Sequence, residues 1–327
     1  MFVRFALFFG MDVMEDIIKL IKNAESAVIL PHISADGDAI GSCQAMRCVL
    51  SDMGINAVIY AEETVEERLY FIANGVRVYN GDTIDYDICI VLDCGDTERL
   101  GTRKDLLSMA KTVINIDHHR TNTGFGDVSL VVSDASATGE VLFNLFRAMG
   151  VTLNSDIAGY LYTAICSDTG GFAYSNVSQD TFKIASELVS HNIKHWEISR
   201  LLFDCVDMKS ELLKAELTKD IRSYYGGKVR TVVISREFAD KFNVDPKELE
   251  GLVDLPRRIR GTEIAVALKE LDDKIRISLR SNGDSDVSEI ALKFGGGGHI
   301  KAAGCSILDV TIDEAEKMVV DACEGAI

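Results

Sequence analysis

Aspartate and histidine recur in this 327-residue chain at the ends of apolar runs, where several of them together can hold a divalent cation. Ala27-Val28-Ile29-Leu30 leads into His32-Ile33-Ser34-Ala35-Asp36-Gly37-Asp38, and Ile88-Cys89-Ile90-Val91-Leu92 delivers Asp93. Val113-Ile114-Asn115-Ile116 delivers Asp117-His118-His119, and a fourth run, Leu161 to Cys166, ends at Ser167-Asp168-Thr169-Gly170. A carboxylate at one strand mouth is ordinary. Carboxylates and imidazoles at four successive mouths predict one shared site, because the C-terminal strand ends of an open parallel sheet lie along one edge.

His32-x-x-x-Asp36-x-Asp38 puts three ligands on a single turn. Alternate residues of extended chain point to opposite sides, so Asp36 and Asp38 can face different ions, and Gly37 permits the turn. Asp93, from the next mouth, is expected to bridge the two ions, with His118 and Asp168 completing the set. Mixed carboxylate and imidazole ligands suit Mn²⁺ or Mg²⁺ over thiolate-seeking metals, and the two imidazoles favour Mn²⁺. Two cations about 3.5–4 Å apart acidify a bridging water and neutralise a phosphoryl group, so no nucleophilic side chain is needed. His119 is then free to contact a phosphate oxygen or to protonate the leaving group. Asp96 offers support behind Asp93, while Arg99 either reaches a phosphate or forms a local salt bridge. Cys94 and Cys166 are expected to pack beneath the site. His191 and His195, four apart, imitate a zinc pair, but with no third ligand nearby they read as surface histidines.

A second candidate lies far downstream, in Phe294-Gly295-Gly296-Gly297-Gly298-His299. Glycines let a backbone curl and turn its N–H groups towards an anion, and His299 adds a side-chain donor. Ala302-Ala303-Gly304 keeps the following surface small. Arg280-Ser281, ending the preceding strand, are natural phosphate partners. Arg257, Arg258 and Arg260 read as a solvated basic loop.

The elements that position these residues alternate. Ile40 to Met53 has helical spacing with Gly54 as its stop, Ala57–Tyr60 reads as a strand, and Ala137 to Met149 is a helix closed by Gly150. Asn154 is a natural N-cap for the helix carrying Ile157, Leu161 and Ile165. Ser178 to His191, Trp196 to Asp204 and Met208 to Tyr225 read as further helices. Beyond Gly226-Gly227 the chain turns β-rich over Lys228–Ser235, Glu263–Lys269 and Lys274–Ser281, with helices over Asp286–Phe294 and Asp313–Ala322. The predicted fold is α/β: an N-terminal doubly wound parallel sheet with helices on both faces (residues 11–190), a helical connector (191–226) and a smaller C-terminal α+β domain (227–327).

The formal charge of −17 disfavours a long duplex nucleic acid as partner. Residues 226–327 carry 15 Lys+Arg against 19 Asp+Glu, so the first 225 residues hold −13 of that charge, as a metal-binding half should. Eight cysteines without a C-x-x-C pair point to a reducing cytoplasm. Phe2 to Phe9 is too short to span a bilayer and lacks a cleavage site; it reads as an upstream extension or short anchor, with Met11 an alternative start.

Taken together, the motifs resemble the DHH phosphoesterase family. The resemblance runs through His32-x-x-x-Asp36-Gly37-Asp38, Asp93-Cys94-Gly95-Asp96-x-x-Arg99-Leu100-Gly101, Asp117-His118-His119 and Ser167-Asp168-Thr169-Gly170. The Gly295–Gly298 run with His299 and Ala302-Ala303-Gly304 resembles the family's associated C-terminal substrate-binding domain. Within the family the branch of bifunctional oligoribonucleases that also dephosphorylate 3′-phosphoadenosine 5′-phosphate is the most similar.

The resemblance implies that His32, Asp36, Asp38, Asp93, His118 and Asp168 bind two Mn²⁺ ions, with Mg²⁺ possible, and that His119 assists at the phosphate. It also implies that Arg280, Ser281, Gly298 and His299, with Gly296 and Gly297 beside them, hold a nucleotide across an interdomain cleft. Expected substrates are short single-stranded RNA or DNA oligonucleotides, linear dinucleotides and the 3′-phosphate of 3′-phosphoadenosine 5′-phosphate. No membrane partner is expected, and a homodimer stays open. Cys94-Gly95 departs from a pattern that varies among relatives, and residues 1–10 have no counterpart. The rival readings are an inorganic pyrophosphatase on the same metals, which the glycine-rich run argues against, and a non-catalytic nucleotide sensor, which has no need of six metal ligands.

Overall fold

The computed structural model describes residues 2–81, 85–246, 249 and 251–327, with the side chains of residues 2–11 left out of that description. It forms two compact units, Met1–Cys205 and Val206–Ile327. The division falls inside the stretch read as a connector from the sequence.

In the first unit six strands, β1 (Ser26–Leu30), β2 (Asn56–Ala61), β3 (Val76–Val78), β4 (Tyr86–Leu92), β5 (Ala110–Asp117) and β6 (Val128–Val131), pair in the order β3-β2-β1-β4-β5-β6, all parallel. The central strands are near-continuous apolar runs because both faces are covered. Ile29, Ile90 and Ile114 pack under the helices α1 (Phe2–Lys22), α2 (Gly37–Asp52), α3 (Thr138–Met149), α4 (Ser155–Asp168) and α5 (Gln179–Val189). Their neighbours Val28, Leu30, Cys89 and Val91 face the other way, onto Leu100 and Leu106 of a 3₁₀-helical segment, Thr97–Met109. The chain runs outward from β1 through β3 and returns to lay β4 against β1. Ligands of such sheets gather at that reversal, beyond the strands' carboxyl ends.

Helix boundaries follow local chemistry. Asp36 caps α2 by accepting from the N–H groups of Asp38 and Ala39, and Asn154 caps α4 in the same way. Gly150 ends α3 in a left-handed conformation. The fourth apolar run is therefore not a strand: Ile157, Leu161 and Ile165 recur at helical spacing, and Asp168 is the last residue of α4. Helix α6 (His195–Ser199) continues as one π-helical turn, Arg200–Asp204. The reading of Phe2–Phe9 as no bilayer span concerns side chains outside the described residues. Among the described residues no helix is long and apolar enough to cross a membrane.

The second unit starts with α7 (Met208–Lys219), which seats Leu213 and Leu217 against Val232 and Ile234. The helix expected to reach Tyr225 stops at Lys219, and Arg222–Tyr224 forms a strand, β7, antiparallel to the next. With β8 (Val229–Ile234), α8 (Arg236–Phe242), α9 (Asp254–Arg257), β9 (Ile264–Glu270), β10 (Lys274–Ser281), α10 (Val287–Leu292), β11 (Gly297–His299), β12 (Ala302–Leu308) and α11 (Ile312–Cys323), the unit builds a mixed sheet. Its order is β11-β12-β10-β9-β8-β7, and only β8 and β9 run parallel.

Candidate metal centre

Four acids and two imidazoles converge at the reversal point of the first sheet. His32 follows β1, Asp36 and Asp38 open α2, Asp93 follows β4, His118 follows β5, and Asp168 closes α4. Two groups of three lie among them, with Asp93 between the two. His32, Asp36 and Asp93 make one, with His32 Nε2 3.6 Å from Asp93 Oδ2 and 3.9 Å from Asp36 Oδ1. Asp38, His118 and Asp168 make the other, with His118 Nε2 3.9 Å from Asp38 Oδ2 and 3.5 Å from Asp168 Oδ2. Asp93 Oδ1 lies 3.6 Å from that same His118 nitrogen. Asp93 thus turns one oxygen to each group, and its backbone adopts φ +57°, a strained conformation for a non-glycine residue.

The donor set fits divalent cations. His32 Nδ1 is 2.5 Å from the Ile33 carbonyl and His118 Nδ1 is 3.2 Å from that of Ala135. Each ring therefore has its Nδ1 proton tied to the main chain and presents Nε2, the arrangement by which proteins orient metal-binding histidines. Four carboxylates sit close together with no lysine or arginine paired to them among the described residues. Burial and the charge of Asp93 push the Asp38 carboxyl well up, and burial with Asp93 and Asp36 lifts Asp168 to about 6. Asp36 is raised for the same reasons. Burial also works against a charge on Asp93, yet His32, His118 and His119 hold its carboxyl down to about 2. Asp168 adds a further mismatch, because a carboxylate at a helix C-terminus opposes the helix dipole. Cations held by these residues would offset the crowding of charge at Asp36, Asp38 and Asp168.

Asp117 and His119 stand beside the centre. Asp117, fully buried, accepts from His119 Nδ1 at 2.7 Å, from the His118 N–H at 2.8 Å and from Asn122 Nδ2 at 2.6 Å. The hydrogen bond to Asp117 raises His119 to about 9, so its ring is protonated at neutral pH. His119 Nδ1 also lies 3.6 Å from Asp93 Oδ1, and Asp93, His118 and His119 form a third group able to hold a cation. Arg99 has no ion pair among the described residues; its backbone N–H bonds Asp96 Oδ1, and its positive charge bears on His119.

Sequence reasoning missed Thr138. Its N–H donates to Asp38 Oδ2 at 2.6 Å and the Gly139 N–H to Asp38 Oδ1 at 3.0 Å, so Asp38 caps α3 from a hundred residues away. Thr138 Oγ1 also donates to Asp93 Oδ1 at 2.9 Å, and Ser42 Oγ to Asp38 at 3.0 Å. The legible trace was Ala137, an N-cap residue without a side-chain acceptor, ahead of a clear helix. Cys94 and Cys166 are buried, whereas His191 and His195 belong to neither ligand group.

In the second unit the glycine run is strand rather than loop. Gly297–His299 pairs with Ala302–Gly304 as the outermost strand. A methyl group on Gly296 or Gly298 would come within 2.2 Å or 2.5 Å of the Gly304 or Ala302 carbonyl oxygen, so these glycines allow two backbones to approach. His299 is exposed, and the partly buried Arg280 donates to its own strand's Leu279 carbonyl. Ser281 is largely buried, its hydroxyl 3.3 Å from the Gly283 carbonyl.

The chain has clear relatives. It is 27% identical over 311 residues, 93% of its length and 91% of the relative's, to the bifunctional oligoribonuclease and PAP phosphatase NrnA of Thermus thermophilus. Against NrnA of Bacillus subtilis the identity is 29% over 309 residues, covering 94% and 96% of the two chains. Among solved structures, an exopolyphosphatase-related protein from Bacteroides fragilis superposes with a TM-score of 0.89 at 26% identity, over 96% of both chains. Residues 26–165 match the DHH family, N-terminal domain, and residues 226–325 match the DHHA1 domain. With both domains in order along one polypeptide, the chain belongs to the DHH family.

Proposed function

We propose that this protein is a divalent-metal phosphoesterase. It hydrolyses short single-stranded oligonucleotides or linear dinucleotides to mononucleotides, and removes the 3′-phosphate of 3′-phosphoadenosine 5′-phosphate. The observation that carries this reading is Asp93, one carboxylate facing two ligand groups. The names of relatives matching over nine-tenths of the chain support it. Two Mn²⁺ ions are the cofactor we infer, with Mg²⁺ the alternative; such a ligand set suits either.

When bound, such ions supply a hydroxide at neutral pH and neutralise charge on the phosphoryl group. The chain's own groups do the rest. His119, kept protonated by Asp117, donates its Nε2 proton to the leaving oxygen or a hydrogen bond to a phosphoryl oxygen. Arg99 offers a second positive charge beside it. Arg280, Ser281 and His299 are the substrate contacts we assign to the second unit, with Gly296, Gly297 and Gly298 beside them at the outer edge of its sheet. The charge of −17 fits a small anionic substrate held by local cations, not a long duplex. Eight cysteines with no disulfide fit a reducing, cytoplasmic setting.

The test is a hydrolysis panel with the purified chain in Mn²⁺, in Mg²⁺ and after chelation. Short RNA, a linear dinucleotide and 3′-phosphoadenosine 5′-phosphate should release mononucleotide or phosphate only with metal present. No release from any of the three overturns the proposal.

A further inference from the structure

The segment directly after Asp168 is built unusually. Gly170, Gly171 and Phe172 occupy left-handed conformations in succession, φ +56°, +68° and +67°. The first two cost little, but a phenylalanine there is strained and must be held by its surroundings. Phe172 is held: its ring packs between Tyr162, 5.7 Å away, and Phe182, which stacks on it at 5.8 Å. Backbone bonds from Ala173 and Tyr174 to the Thr169 carbonyl, at 2.9 and 3.0 Å, close the turn. Asn176 Nδ2 ties it to the main-chain carbonyls of Asp168 and Ser136, at 3.1 and 3.0 Å.

This turn lays an exposed aromatic ring against each glycine. A methyl group on Gly170 would fall 2.3 Å from the Tyr174 ring, and one on Gly171 would meet the Phe203 ring at 3.4 Å. Tyr174 remains 54% exposed and Phe203 42% exposed. Phe203 sits in the π-helical turn Arg200–Asp204, a form of backbone common at functional sites. Each ring therefore rests one side on backbone and leaves the other to solvent, and Tyr174 follows Asp168 of the candidate centre by only six residues.

We infer that Tyr174, with Phe203 against the neighbouring glycine, is a stacking platform for a nucleobase of the substrate whose phosphate is held at the metal centre. This rests on the proposed nucleotide substrate and deepens it: flat rings accept any base by stacking, so the platform selects for a base without choosing its sequence. It also separates nucleotide esters from base-free phosphates such as pyrophosphate.

The test compares a linear dinucleotide with its abasic analogue, in which a hydrogen replaces one base, on the Mn²⁺-loaded full chain. Wild type should prefer the dinucleotide in kcat/KM, and Tyr174→Ala should cut that preference about 5- to 150-fold. Tyr174→Trp and Tyr174→Phe should retain it. In parallel, calorimetry should find a nucleoside monophosphate binding more tightly than ribose 5-phosphate to wild type, and equally to Tyr174→Ala. An equal loss for both members of each pair, or no change on removing the ring, overturns the platform. Base-dependent binding with no hydrolysis in wild type upholds the platform and overturns the phosphoesterase reading instead.

Discussion

Thr138 binds the two most buried carboxylates of the centre at once, its N–H on Asp38 at 2.6 Å and its hydroxyl on Asp93 at 2.9 Å. The first bond uses the positive end of α3 to hold a negative charge, as helix N-termini commonly do. The second fixes the rotation of Asp93, and with it the direction of both its oxygens. Thr138 touches no metal in this account, so its role is positioning. Thr138→Val keeps the shape and the N–H but deletes the hydroxyl. It should weaken Mn²⁺ binding about 10- to 100-fold, the usual cost of losing a group that orients a ligand. Calorimetric titration measures this, and Thr138→Ser should restore most of the affinity.

Asp168 gives a prediction with opposite signs in two states. Without metal its charge opposes the α4 dipole and meets Asp93 and Asp36. Asp168→Asn should therefore stabilise the metal-free protein by about 0.3–1 kcal/mol, from the dipole alone. With Mn²⁺ the variant should gain less than wild type, since a ligand is gone. Thermal melts with and without Mn²⁺ report both numbers; a variant less stable than wild type in chelator contradicts the charge argument.

His119 should matter to turnover and not to metal content. His119→Gln removes the proton that Asp117 holds in place, and should lower kcat by about 10²- to 10⁴-fold. Metal bound per chain, read by elemental analysis after gel filtration, should stay at the wild-type value. Lost metal would make His119 a ligand instead.

Much of the cluster was legible because most of its residues follow an apolar strand, and a parallel sheet buried on both faces makes such runs stand out. His32, Asp36, Asp38, Asp93 and His118 could be found this way. Asp168 was found beside an apolar run that resembles a strand in composition; only Asn154 and the spacing of Ile157, Leu161 and Ile165 betray the helix. Thr138 was invisible because its partners lie 45 and 100 residues away, and nothing local marks such a bond. The glycine run misled for a related reason. Glycine serves both a flexible loop and the close approach of two backbones, and the Ala302–Gly304 strand that makes the difference is a tertiary neighbour. Likewise Met208 to Tyr225 carries helical composition throughout, yet pairing with β8 turns Arg222–Tyr224 into strand.

Away from the centre, Asp87 should contribute to acid stability. Lys111 and the N–H groups of Glu25 and Ser26 hold its carboxyl down to about 2. A carboxylate depressed in the folded state stabilises fully above its unfolded value near 4 and loses that contribution as pH falls through about 2. Asp87→Asn should therefore be less stable than wild type at pH 6, with the two converging towards pH 2. Urea midpoints across that range decide it, and a constant gap between the two curves would contradict the assignment.

In the loaded protein Asp93 should stand between two cations. Crystals soaked in Mn²⁺ and measured at the manganese absorption edge address it directly. Two anomalous peaks are expected, one against His32, Asp36 and Asp93, the other against Asp38, His118, Asp168 and the second oxygen of Asp93. A single peak, or peaks out of reach of Asp93, would contradict it.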